Sequence, residues 1–140
     1  MAFTRIDHIG IVCHDLDATV AFYTDTFGFE LIHTEDIESQ GVREAILRVN
    51  GTDDGALSCL QLLTPLHEDS AVSRWLAERG PGVHHIAFGT DDVDAAAGEL
   101  GRAGIRVLFD PPGTGSRGSR VTFLHPKDCH GVLTELVTLP

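Results

Sequence analysis

Positive charge is scarce in this chain of 140 residues: ten Lys and Arg stand against 21 Asp and Glu, a formal net charge of −11. That excludes the phosphate-neutralising surface that nucleic acid or an anionic membrane requires, and an anionic substrate would need a local basic patch. Cysteine is scarce as well. Cys13, Cys59 and Cys129 are odd in number, widely spaced and in no CxxC pair, which excludes a disulfide framework and a four-thiolate zinc site. No apolar run approaches the roughly 20 residues of a membrane-spanning helix. The opening Met1–Asp7 shows no apolar secretory segment, so the expected location is the cytoplasm. What remains, with 42% hydrophobic and 22% charged residues, is the composition of one soluble globular domain spanning 1–140.

A repeat organises that domain. His8-Ile9-Gly10-Ile11-Val12 is followed by Asp15-Leu16-Asp17-Ala18, and His85-Ile86-Ala87-Phe88-Gly89 by Asp92-Val93-Asp94-Ala95. From His8 to His85, and from Asp15 to Asp92, the step is the same 77 positions. The pattern predicts two modules, about 5–63 and 83–138, joined by a connector over 64–82.

The first module reads as β-α-β-β-β. A strand over 6–12 leads to a helix capped by Asp15 or Asp17 and stopped at Gly28. Strands follow over 29–37, 42–49 and 57–63, with a turn at Gly51–Gly55. In the connector, Asp69 or Ser70 caps a short helix with Val72, Trp75 and Leu76 on its apolar face. The second module repeats the order: strand 83–88, helix about 94–103 ended by Gly104, then strands 105–109, 120–125 and 132–138. The glycine-rich stretch Pro111–Ser119 reads as a flexible loop without the pattern of a P-loop.

Alternation along the first strand puts His8 on one face with Ile6, Gly10 and Val12, and Ile9 and Ile11 on the helix face. By the repeat, His85 takes the equivalent place. The last strand of each module carries one polar residue inside an apolar run, Gln61 and Glu135. A carboxylate buried mid-strand without a partner costs several kcal/mol, and a divalent cation is an efficient partner. His8, Gln61, His85 and Glu135 together offer two imidazoles, an amide oxygen and a carboxylate, a donor set suited to cobalt, nickel, zinc, manganese or iron. Glu44 shares a strand face with Val42 and Ile46. It is either a base with apolar neighbours or an edge charge paired with Arg43 or Arg48. His14, His33, His67, His125 and His130 have no repeat partner and read as surface or loop residues.

The sequence resembles the vicinal-oxygen-chelate superfamily, the glyoxalase/bleomycin resistance/dioxygenase-like fold. The resemblance rests on Ile6–Ile11, Gln40-Gly41-Val42-Arg43-Glu44, Leu60-Gln61-Leu62-Leu63, Gly82–Phe88, Arg120–Lys127 and Gly131–Leu136, and so covers nearly the whole chain. It implies an α+β fold of two tandem βαβββ modules forming a curved mixed sheet around a metal cleft. It also implies His8, Gln61, His85 and Glu135 as ligands of one divalent transition metal, cobalt foremost, with Glu44 and Glu135 as bases.

Gln61 with Glu44 points to the branch that epimerises malonyl-type thioesters of coenzyme A at C2. The implied partners are an acyl-CoA substrate and a second copy in a homodimer. Arg117, Arg120 and Lys127 are candidates to meet the anionic CoA moiety. The alternatives are a lactoylglutathione lyase, an iron dioxygenase, or a metal-free binding protein of the same fold.

Overall fold

The computed structural model describes residues 2–49 and 58–140. The chain divides into two compact units: His8–His84, and a second that joins the residues up to Asp7 to His85–Pro140. β1 (Phe3–Val12) runs across that boundary.

In the unit from His8, β1 is followed by α1 (Leu16–Phe27), β2 (Glu30–Ile37), β3 (Val42–Arg48), β4 (Cys59–Pro65) and α2 (Ala71–Arg79). The strands lie in the order β2-β3-β4-β1. β2, β3 and β4 pair antiparallel, and β4 pairs parallel to β1. A parallel pair needs a long crossover, here supplied by α1, β2 and β3. Asp15 caps α1 by accepting the Ala18 N–H at 3.0 Å, and Gly28 ends it at φ 73°, a left-handed conformation that suits glycine. Ser70, not Asp69, caps α2. The turn expected at Gly51–Gly55 lies outside the described residues.

The two faces of this sheet differ. On one, Ala45, Leu47 and Leu62 are fully buried, with Ile11 and Leu60, against Leu16, Val20 and Tyr23 of α1. Each buried leucine contributes about 1.5–3 kcal/mol of apolar burial. On the other, Val12, Ile37, Val42 and Leu63 pack under Val72, Trp75 and Leu76 of α2. Ile11 and Val12 thus take opposite faces, as strand alternation requires.

In the second unit, β5 (Gly82–Thr90) is followed by α3 (Val93–Arg102), β6 (Gly113–Thr114), β7 (Arg120–Leu124) and β8 (Thr134–Thr138), in the sheet order β5-β8-β7-β6. β5 and β8 are parallel and the other pairs antiparallel. Asp92 caps α3 as Asp15 caps α1. Val93, Ala96 and Leu100 of α3 pack on Leu124 and Leu136, while Ala87, Val121 and Val137 form a cluster of their own.

Two expectations fail in this unit. Residues 105–109 form no strand beyond a single bridge from Val107 to Leu124. Backbone bonds flank the bridge, from Leu108 N–H to the Phe123 carbonyl (2.8 Å) and from His125 N–H to the Arg106 carbonyl (2.9 Å). The Arg106 N–H, however, goes to the Asp128 carboxylate (2.9 Å) and the Phe109 N–H to the Thr122 hydroxyl (3.2 Å), so the ladder goes no further. The edge strand comes instead from the glycine-rich stretch read as a loop. Gly113–Thr114 pair with Val121 and Arg120, and a tight turn over Ser116–Gly118 follows with Ser116 and Ser119 buried. A Cβ on Gly115 would lie 2.8 Å from Val121 Cγ1, so the hairpin closes only with glycine there.

Candidate active site

Register places a row of polar side chains on the α2-bearing face of the first unit. In the β3–β4 pair, Glu44 lies opposite Leu63 and Ile46 opposite Gln61. In β2–β3, Glu35 lies opposite Glu44 and His33 opposite Ile46. On β1, Gly10 lies opposite Gln61 and His8 opposite Cys59. Cross-strand partners share a face, so His33, Glu35, Glu44, Gln61 and His8 line one surface.

Glu44 is completely buried, and its Oε2 accepts the Gln61 side-chain amide at 2.5 Å. An ionised carboxylate only accepts hydrogen bonds, so this contact fixes which end of the Gln61 amide faces Glu44. Gln61 Oε1 is then buried with no hydrogen-bond partner among the described residues. An unsatisfied buried acceptor costs about 1–3 kcal/mol. A cation offsets that cost, so the amide oxygen fits the ligand role expected of it. Arg43 pairs with Asp36 (2.7 Å) and Arg48 with Glu30 (2.5 Å). The Arg43 guanidinium holds the Asp36 carboxyl below its ordinary value.

His33 departs from its reading as a surface residue. The β2–β3 register shifts between Leu31 and His33, and from His33 on, alternation sets His33, Glu35 and Ile37 on the face of Ile46, Glu44 and Val42. Its Nε2 lies 2.8 Å from Glu35 Oε1 and 3.8 Å from Glu44 Oε1. Ligand atoms of His33, Glu35 and Glu44 all fall within 4.8 Å of one another. Once β2 is drawn opposite β3, the two-residue spacing of His33, Glu35 and Ile37 is the signal that finds this group. The other unmatched histidines fit the surface reading better. His14, His67 and His130 are exposed, and His125 accepts the Lys127 N–H in a turn.

In the second unit, His85 Nε2 lies 2.9 Å from Glu135 Oε2, both side chains being more than nine-tenths buried. β8 places Glu135 between Ala87 of β5 and Phe123 of β7. The Phe123 ring meets His85 edge-on at 5.5 Å and Phe109 at 5.7 Å, walling the pair with apolar surface. His85 and Glu135 are a candidate nitrogen–oxygen ligand pair.

Asp7, one residue before His8, was not singled out from sequence. It is buried beneath Arg5, whose Nε and Nη2 lie 3.0 and 2.7 Å from Oδ2, with Arg117 Nη2 3.8 Å from Oδ1. Arg117 itself sits at φ 56°, unusual for a residue with a side chain. Of the other candidate cations for CoA, Arg120 is held by Asp94 (2.5 and 2.7 Å) and Lys127 is exposed.

Comparison with known proteins identifies the family. Residues 7–123 match the family model of the glyoxalase/bleomycin resistance protein/dioxygenase superfamily. The chain therefore belongs to that superfamily, and its α+β fold of paired βαβββ units is the superfamily's. The ethylmalonyl-CoA/methylmalonyl-CoA epimerase of Cereibacter sphaeroides is 38% identical over 135 residues, covering 94% of this chain and 96% of that protein. The mitochondrial methylmalonyl-CoA epimerase of Mus musculus is 33% identical over 94% of this chain and 71% of its own length.

Two solved structures each superpose with a TM-score of 0.94 over 99% of this chain and 96% of theirs. One is a Streptomyces coelicolor methylmalonyl-CoA epimerase variant in complex with 2-nitronate-propionyl-CoA, at 67% identity. The other is a methylmalonyl-CoA epimerase in complex with methylmalonyl-CoA and NH4+, at 68%. Within the superfamily, then, the chain is a member of the methylmalonyl-CoA epimerases, enzymes of the isomerase class.

Proposed function

We propose that this enzyme interconverts the (2R) and (2S) forms of methylmalonyl-CoA by moving the C2 proton, with Glu44 as one base. The observation that carries the reading is the Glu44–Gln61 pair. Glu44 is a fully buried carboxylate with one oxygen held by an amide, a placement suited to taking a proton from carbon. Gln61 keeps Oε2 in place, and Oε1 of Glu44 is the proposed proton acceptor. Glu135 is the proposed second base, returning a proton to the opposite face of C2. The apolar wall of Phe123 and Phe109 keeps water from the His85–Glu135 pair.

His8, Gln61, His85 and Glu135 are proposed as the ligands of one divalent transition metal, with cobalt foremost. The partnerless buried oxygen of Gln61, the burial of both histidines and the His85–Glu135 contact support this assignment. When bound, the metal supplies Lewis acidity that offsets negative charge developing on the thioester oxygen. A homodimer and a cytoplasmic location complete the proposal.

The test is proton NMR of methylmalonyl-CoA in deuterated water. The wild-type protein is expected to bring deuterium into C2. Glu44→Gln is expected to abolish that exchange with metal content unchanged. Exchange at the wild-type rate in this variant would remove Glu44 from the mechanism.

A further inference from the structure

An epimerase with two bases ends each turnover in the wrong protonation state for the next. The base that took the C2 proton is now an acid, and the opposite acid is now a base. Before another turnover in the same direction, Glu44 must lose its proton. Glu44 is fully buried, so the proton needs a carrier.

We infer that His33 is that carrier, moving the proton from Glu44 to the partly exposed Glu35 and so to water; the inference rests on Glu44 being a catalytic base. The geometry is specific. One nitrogen, His33 Nε2, faces both carboxylates, 2.8 Å from Glu35 Oε1 and 3.8 Å from Glu44 Oε1. Both His33 and Glu35 are about one-third exposed, whereas Glu44 has no exposure. Regular pairing of β2 with β3 brings the imidazole to this position, His33 opposite Ile46 and Glu35 opposite Glu44.

The step balances with one proton. With the ring starting as the imidazolium, the Nε2–H bond breaks as its proton passes to Glu35 Oε1, leaving a neutral ring that keeps its proton on Nδ1. The freed lone pair on Nε2 takes the proton from Glu44 Oε1, and Glu35 releases its own to water. The imidazole returns to its starting state, Glu44 is again a carboxylate, and no other reactant is consumed. Rotation of the partly exposed ring closes the longer of the two gaps. His33 therefore acts through Glu44 and touches no reacting carbon.

The readout is the split between kcat and kcat/KM in His33→Gln. Reset happens after product has left, so slowing it lowers kcat and leaves kcat/KM nearly intact. The expected fall in kcat is about tenfold or more, with kcat/KM held within about twofold. Added imidazole, a small proton carrier, is expected to restore kcat. Glu35→Gln is expected to show the same pattern and carries the test should His33→Gln fail to fold.

Unchanged kcat in both variants, or a joint fall of kcat and kcat/KM with no response to imidazole, would overturn the inference. Glu44→Gln separates the two readings. If that variant is inactive while His33→Gln behaves as wild type, only the relay fails. If it still exchanges C2, the base assignment fails first.

Discussion

Gln61 and Glu44 share a face of adjacent antiparallel strands without standing opposite each other: Gln61 faces Ile46, Glu44 faces Leu63, and the amide–carboxylate bond spans the diagonal at 2.5 Å. Diagonal neighbours in a sheet lie within reach of long side chains. The pair therefore does two things with one residue. The nitrogen of the amide positions a base, and its oxygen is left as a buried acceptor with a desolvation cost to offset.

Replacing Gln61 by Glu tests that division. It sets a second carboxylate against the Glu44 oxygen, and two such groups in hydrogen-bond contact share a proton instead of both ionising. Glu44 is then less able to act as a base. C2 exchange is expected to fall by about 10²-fold or more, with the circular dichroism spectrum unchanged. Wild-type exchange would show that the amide is not needed at this position.

Removal of metal is expected to abolish exchange, and cobalt to restore it. Because a metal that binds only the folded state stabilises it, Tm should fall on chelation and recover on reloading. Glu135→Gln should lower the stoichiometry measured by plasma mass spectrometry. Full activity in protein verified to be metal-free would refute the ligand assignment.

Asp128 joins the segment after α3 to the turn after β7. Arg106 bonds its carboxylate through side chain and backbone alike and holds it well below the ordinary carboxylate range. A carboxyl depressed in the folded state adds stability in full above its unfolded value of about 3.9, and that stability fades as pH falls through the folded value. Urea midpoints of Asp128→Asn and wild type should therefore differ at pH 7 and converge in acid. A difference that grows on acidification would contradict the pairing.

The cysteines should differ in reactivity. Cys13 is buried and donates to the Leu63 carbonyl at 3.4 Å; burial is the main cause that pushes its thiol up. Cys129 is partly exposed. Since the thiolate is the reactive form, a thiol reagent near pH 8 should label Cys129 well before Cys13, with Cys13 reacting only on unfolding. Peptide mapping of partly labelled protein reads the order directly.

The sequence made the repeated parts legible because their signals are local. Asp15 and Asp92 cap their helices at matched offsets, and strand alternation alone separates Ile11 from Val12. Glu44 and Gln61 were named from sequence, but their bond depends on a diagonal that only the β3–β4 register reveals. His33 was missed because it has no counterpart in the second module, while the alternation that aligns it with Glu35 and Ile37 shows only once β2 is paired with β3. The misassigned strand at 105–109 has a related cause. Two backbone bonds tie it to the β7 side, but its Arg106 and Phe109 N–H groups go to the side chains of Asp128 and Thr122, and no local pattern announces a side-chain partner.

The division of β1 bears on how such a chain could be cut or shuffled. A fragment starting at the second histidine repeat would hold α3 and β6 to β8 but lack Phe3–Asp7. Within their unit these residues set Phe3 against Phe88, bond Thr4 to the Gly89 carbonyl and fill the space above Gly89 with Arg5. Although the sequence repeats, the two halves are not interchangeable parcels. One strand is written at the start of the chain and spent partly on its end, so a functional split protein would need its break in a loop that leaves β1 able to serve both.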